Sequence, residues 1–212
     1  MAALAKTHRV VALRFPFFED KTLISVRALR DYTAEFLEAQ QLECVTLCGN
    51  SLGGQVALDF GLNFPHKVDK LVLTGSSGLW ESEPTGEHPK ATRAFIRQQA
   101  EKIFYHPKHV DETILEQVYQ AVQDRNFVRT LLRLARDAQA YKFDDQLQKL
   151  RVQTLLIWGE EDRITPPDVA RAFQQKIAHA RLVFLPLCGH VPPLEQPQEF
   201  TRALQSFLAG PV

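Results

Sequence analysis

Gly49-Asn50-Ser51-Leu52-Gly53 sets a serine between two glycines at the spacing Gly-x-Ser-x-Gly, directly after the apolar run Cys44–Cys48 (CVTLC) and ahead of a helical stretch. A serine on so tight a strand-to-helix turn takes a strained backbone conformation, and side chains on the flanking residues would keep the turn from closing. The turn would lift the hydroxyl clear of the sheet and set a helix N-terminus beneath it. There the Leu52 amide can meet a developing oxyanion. A Gly-rich turn with an incidental serine is the plain alternative.

A serine hydroxyl is a poor nucleophile until a base takes its proton, so a histidine is needed. Of the seven present, His190 lies in Cys188-Gly189-His190-Val191-Pro192-Pro193, just past the strand-like Arg181–Leu185. Loops at the carboxyl ends of strands are where a layered α/β sheet holds its functional side chains. His8, His66, His88 and His179 sit in polar, surface-like contexts. His106 and His109 could suggest a metal pair, but no third ligand or Cys/His cluster accompanies them, and no metal is expected. The base needs an acid to hold its tautomer and stabilise the imidazolium. Asp162, in Gly159-Glu160-Glu161-Asp162-Arg163-Ile164-Thr165-Pro166, follows the apolar run Thr154–Trp158. Glu160 and Glu161 are its rivals, and a solvated acidic loop is the bland reading.

The elements that must carry these residues are legible from pattern. Apolar, β-branched runs predict strands at His8–Leu13, Cys44–Cys48, Leu71–Thr74, Thr154–Trp158 and Arg181–Leu185. Helical spacing appears over Val26–Gln40, Ser51–Phe64, Val169–Ala178 and Pro197–Leu208, the last with Phe200, Leu204, Phe207 and Leu208 inward. Trp80–Gly86 is loop-like, and Ala91–Tyr141 is charged and helical in period without strand signals. Solid apolar strands alternating with helices indicate an α/β fold: a mostly parallel, doubly wound sheet with helices on both faces. Residues 80–145 interrupt it as a helical cap insertion, with the core formed by 1–79 and 146–212. Trp80, Phe104 and Phe127 are candidates to line a pocket, although aromatics at helical spacing more often pack in a core.

The 212 residues suit one domain with an insertion. Lys+Arg and Asp+Glu balance at 25 each, so no global field attracts nucleic acid or an anionic membrane. The longest run without a charged residue, Cys44–Leu58, is too short to span a bilayer, and Met1–Arg14 is interrupted by Lys6, His8, Arg9 and Arg14. Three cysteines, Cys44, Cys48 and Cys188, read as reduced packing residues and favour a cytoplasmic setting.

Taken in order, the chain resembles the α/β-hydrolase superfamily over nearly its whole length, among serine esterases and hydrolases of ring-fission products. The resemblance rests on Gly49-Asn50-Ser51-Leu52-Gly53-Gly54, on Trp158-Gly159-Glu160-Glu161-Asp162 with Pro166, and on Gly189-His190 followed by Pro192, Pro193, Glu195 and Pro197. It implies a catalytic triad of Ser51, Asp162 and His190, an acyl-enzyme intermediate, a helical cap and no cofactor. Family members usually begin with further strands and a His-Gly loop that supplies a second oxyanion amide. Here the first glycine is Gly49 and no His-Gly pair occurs. The expectation is an N-terminally shortened chain; the alternative recruits Met1–Leu13 to fill the gap. Losing one oxyanion donor typically costs about 10²–10³-fold in rate.

Three functions follow. The first is hydrolysis of a small carboxylic ester. The second is carbon–carbon hydrolysis of ring-fission products, suggested by Gly49-Asn50-Ser51 but weakened by Val191, where such enzymes often carry Trp. The third is a truncated or non-catalytic protein that uses its pocket to bind a small molecule. A serine at position 51 argues against the dehalogenases and epoxide hydrolases of this fold, which use Asp.

Overall fold

The strands β2 (Val68–Thr74) and β3 (Gln153–Gly159) run side by side through the centre of the molecule, with Leu71, Val72, Leu73, Leu155, Leu156 and Ile157 fully buried. Burial on both faces is why they read as unbroken apolar runs. The computed structural model describes residues 3–16, 18–81 and 91–210. Before β2 come α1 (Val26–Ala39), β1 (Val45–Asn50) and α2 (Leu52–Asn63). Between β2 and β3 lie α3 (Arg93–Ile103), α4 (Glu112–Ala121) and α5 (Arg125–Ala140). After β3 come α6 (Pro167–Lys176), β4 (Ala180–Leu185), the single turn α7 (Pro192–Glu195) and α8 (Pro197–Leu208).

Among the described residues the sheet has four parallel strands in the order β1-β2-β3-β4. Right-handed crossovers that all step in one direction leave their helices on one face. Accordingly Leu58 and Phe60 of the crossover helix α2 and Val169 and Phe173 of the crossover helix α6 share one core cluster, which Leu37 of α1, ahead of β1, also joins. On the opposite face, Phe200, Leu204 and Phe207 of α8 pack against Val72, Leu155 and Ile157. Their i, i+4, i+7 spacing is what turns one stripe of α8 inward. Lys70, buried in β2, directs Nζ to the carbonyls of Phe207, Leu208 and Gly210 at 2.9–3.3 Å, so its charge meets the negative end of α8. Because all strands point the same way, the segments after Asn50, Thr74, Gly159 and Leu185 gather at one rim.

The helices between β2 and β3 start at side-chain caps: Thr92 accepts from the Phe95 amide, Asp111 from Thr113 and Ile114, and Asp124 from Asn126. Little of their apolar surface enters the core, since α4 buries no residue and α5 only Leu134 and Ala138. No described helix is long and apolar enough to cross a membrane.

Three sequence expectations are corrected. His8–Leu13 is not a strand; it has no ladder partner, and Val11 is 46% exposed. β-Branched residues favour a strand only where an edge and a packing surface receive them. Here the segment is instead fixed on either side, by Leu4 against the α8-side core and by Phe15 edge-on to Tyr32 at 6.1 Å. Second, Cys44 and Cys48 are exposed rather than buried. β1 begins at Val45 and is an edge strand among the described residues; alternation turns Val45 and Leu47 to the core and Cys48 to the other face. Third, Trp80, Phe104 and Phe127 are not buried core residues, and Phe127 stacks on Phe18 at 4.0 Å. Most of the loop expected at Trp80–Gly86, and His88, lie outside the described residues.

Candidate active site

Ser51 joins β1 to α2 with φ 54° and ψ −120°, a conformation that residues with a side chain rarely adopt. Its surroundings hold it there. The Ser51 amide donates to the Thr74 carbonyl (3.0 Å), and its carbonyl accepts from the amides of Gln55 (3.1 Å) and Ser77 (3.2 Å). A Cβ on Gly49 would lie 2.2 Å from the Gly53 carbonyl oxygen, so this turn closes only over glycine. A Cβ on Gly53 would meet nothing within 4 Å, whereas one on Gly54 would lie 2.6 Å from Ser76 Oγ. The steric demand therefore falls on Gly49 and Gly54, which corrects the expectation for Gly53. Leu52 opens α2, and an amide in a first helical turn has no carbonyl partner within its own helix.

His190 and Asp162 meet at the same rim. His190 Nδ1 lies 2.9 and 3.1 Å from the two carboxylate oxygens of Asp162, and the residues are 5% and 3% exposed. The carboxylate also accepts from the amides of Ile164 (2.9 Å) and Thr165 (3.0 Å) and from the Thr165 hydroxyl (2.9 Å). With Nδ1–H directed at Asp162, Nε2 is the ring nitrogen free to accept a proton. The rival acids are otherwise placed: Glu161 accepts from the Cys188 amide at 2.9 Å, and Glu160 is exposed.

Two residues connect the serine turn to the histidine. Asn50 Nδ2 donates to the carbonyl of His190 (2.9 Å) and to the carbonyl and hydroxyl oxygens of Thr74 (3.0 and 2.8 Å). Gly75, at φ 46°, lies so close that a Cβ would stand 2.8–3.0 Å from the His190 carbonyl oxygen, Nδ1 and Cε1. The structure thus brings Asp162 and His190 into direct contact and joins Ser51 to them through its neighbour Asn50. Among the described residues the His190 ring is hydrogen-bonded to Asp162 and, at 3.4 Å, lies near the Thr165 hydroxyl, but is not hydrogen-bonded to the Ser51 hydroxyl. Sequence reasoning did not single out the roles of Asn50, Gly75 or Thr165. The available signals were a glycine directly after β2 at the functional rim and a threonine three residues beyond an acidic turn.

Such a site can deprotonate a hydroxyl, add it to a carbonyl and return the proton to a leaving group. Among the described residues no group of three or more His, Cys, Asp or Glu side chains is arranged to hold a metal ion.

The chain is similar to known proteins over most of its length. The uncharacterized hydrolase YugF of Bacillus subtilis is 28% identical, over 97% of this chain and 82% of that protein. The 2-hydroxy-6-oxo-6-phenylhexa-2,4-dienoate hydrolase of Comamonas testosteroni is 27% identical, over 90% of this chain and 70% of that one. Among solved structures, the α/β-hydrolase enzyme MGS-MChE2, from a lagoon-sediment metagenome at Mar Chica, Morocco, shares 33% identity with a TM-score of 0.69. The match covers 87% of this chain and 69% of MGS-MChE2. The sequence profile of the alpha/beta hydrolase family matches residues 1–203. This chain is a hydrolase and belongs to the α/β-hydrolase family.

Proposed function

We propose that the protein is a serine hydrolase that cleaves a small carboxylic ester through an acyl-enzyme intermediate. The observation that carries this reading is the Asp162–His190 pair, hydrogen-bonded at 2.9 Å, at the rim where Ser51 sits on a strained turn. Ser51 Oγ attacks the ester carbonyl while His190 Nε2 takes its proton. The tetrahedral oxyanion is met by the Leu52 amide at the head of α2, and collapse expels the alcohol, protonated by His190. Water then attacks the acyl-enzyme with His190 again as base. Asp162 holds the imidazole in the Nδ1–H tautomer and stabilises the imidazolium. Helices α3–α5 serve as the cap over the site, with core and cap divided near residues 80 and 145.

A second reading has its own support. Several relatives at 27–29% identity are named as hydrolases of 2-hydroxy-6-oxo dienoates, and the Gly49-Asn50-Ser51 turn suits both reactions. In that reading the bond cleaved is carbon–carbon, next to the carbonyl.

A substrate comparison tests both. With p-nitrophenyl acetate and butyrate, the wild type turns over and Ser51→Ala loses at least about 10³-fold of that rate. Equal rates for the two proteins would dismiss the ester reading. Ser51-dependent bleaching of a 2-hydroxy-6-oxo dienoate, faster than ester release, would move the assignment to carbon–carbon cleavage.

A further inference from the structure

Four consecutive amides around His190 each have a separate acceptor atom. The Cys188 amide donates to Glu161 Oε2 (2.9 Å), Gly189 to Glu195 Oε2 (3.0 Å), His190 to the Ile103 carbonyl (2.8 Å) and Val191 to Glu195 Oε1 (3.0 Å). Glu195 Oε2 accepts one more amide, that of Tyr105, at 2.7 Å. A single carboxylate, 7% exposed, therefore grips the chain on both sides of His190 and also the chain just beyond α3. The 103–105 segment is tied to the histidine loop twice, directly through Ile103 and through Glu195 from Tyr105.

Burying a carboxylate is costly unless its oxygens are satisfied, and an apolar residue closing α7 would carry no such cost. What Glu195 supplies instead is direction. Its charge-assisted bonds to amides are about twice as strong as neutral ones and fix the loop on both sides of the imidazole.

We propose that Glu195 is a positioning residue that couples the docking of residues 103–105 to the placement of His190. Among the described residues the hydrogen bonds of the Glu195 carboxylate go to backbone amides and not to Ser51, the His190 ring or Asp162, so it acts through the backbone that carries the ring. The proposal rests on His190 being the base, as argued above. When the segment after α3 lifts, Glu195 loses its Tyr105 donor, His190 loses the Ile103 acceptor, and the base is released from its aligned position. The helical segment thereby sets the activity of the site it adjoins.

The test uses the full chain and four variants, with kcat expressed per site titrated by a fluorophosphonate. Glu195→Ala is expected to lower kcat by about 10²-fold, the cost of a misplacement near 1 Å, with KM little changed. Glu195→Gln keeps one oxygen for Tyr105 and Gly189 but turns an NH₂ toward the Val191 amide, and recovers part of the loss. Tyr105→Pro removes only the donor on the α3 side from this network. Phe104 is already extended, as the residue before a proline must be (ψ 143°). Tyr105→Ala, which keeps the amide, is expected to lose less than Tyr105→Pro. Amide hydrogen exchange supplies a readout independent of turnover: Gly189 and Val191 exchange faster in Tyr105→Pro than in Tyr105→Ala. Unchanged exchange at those amides, or a rise in KM with kcat per site intact, overturns the proposal. If the wild type shows no Ser51-dependent hydrolysis, the functional reading fails, and the exchange comparison still decides the coupling.

Discussion

The side-chain amide of Asn50 donates to the main-chain carbonyl of His190 at 2.9 Å, across 140 positions of sequence. Through it the residue before the candidate nucleophile holds the residue that carries the candidate base. Asn50→Ala removes this bond and both bonds to Thr74. It is expected to lower kcat by about 10–100-fold through misalignment and stability by about 1–3 kcal/mol. Asn50→Asp is expected to be worse, since a carboxylate would face two carbonyl oxygens. Steady-state kinetics with a thermal melt for each variant checks both effects; wild-type kcat in Asn50→Asp would show that the link is incidental.

Gly75 carries a second constraint on the same ring. At φ 46° an alanine is strained, and its Cβ would press on His190 Nδ1 and Cε1. Gly75→Ala is expected to lose about 10²-fold in kcat, with a lowered melting temperature. A fully active, equally stable alanine variant would mean that the His190 ring stands elsewhere.

Asp59 predicts a pH effect on stability. Its side chain is fully buried; it accepts from the Tyr141 hydroxyl at 2.8 Å and the Asn63 amide at 2.9 Å, and pairs with Arg30 at 3.2 Å. Burial raises its pKa, with the Tyr141 hydrogen bond and the Arg30 charge opposing the rise. The folded protein then binds this proton more tightly than the unfolded chain, so the contribution of Asp59 falls as pH rises from about 4, the ordinary carboxylate value. Melting temperatures of wild type and Asp59→Asn, compared from pH 4 to 7, are expected to shift in favour of the variant as pH rises. A constant difference, or one of opposite slope, argues against a buried charge at this position.

Cys188 gives a chemical check on the histidine loop. Burial, then the charges of Glu195, Asp162 and Glu161, push its thiol up to about 12. A disulfide reagent at pH 8, followed by peptide mapping, is expected to leave Cys188 unmodified until the protein is denatured. Fast modification in the native state would indicate an open loop.

Much of the scaffold is legible in the sequence because the long elements carry strong periodicities. The closing helix has the expected span, Pro197–Leu208, with Phe200, Leu204 and Phe207 buried; Leu208, on the margin of that stripe, is only partly covered. Buried runs such as Thr154–Trp158 mark the central strands. His8–Leu13 misleads because a strand exists only with a partner, and partnership is not written in the run itself. Among Glu160, Glu161 and Asp162 composition cannot choose, since the register of one loop decides which acid faces His190. The grips of Glu161 and Glu195 escape sequence reasoning for a related reason: their partners are backbone amides, which every residue but proline offers. The need for Gly54 over Gly53 depends on Ser76, brought alongside by the pairing of β1 with β2.

The most direct measurement is the mass of the protein after reaction with a fluorophosphonate, with the modified peptide sequenced. One adduct per chain, located on Ser51, formed much more slowly in His190→Ala and Asp162→Asn and absent from Ser51→Ala, is what an activated serine at this rim requires. An adduct elsewhere, or labelling of Ser51 at the same rate with and without His190, would contradict it.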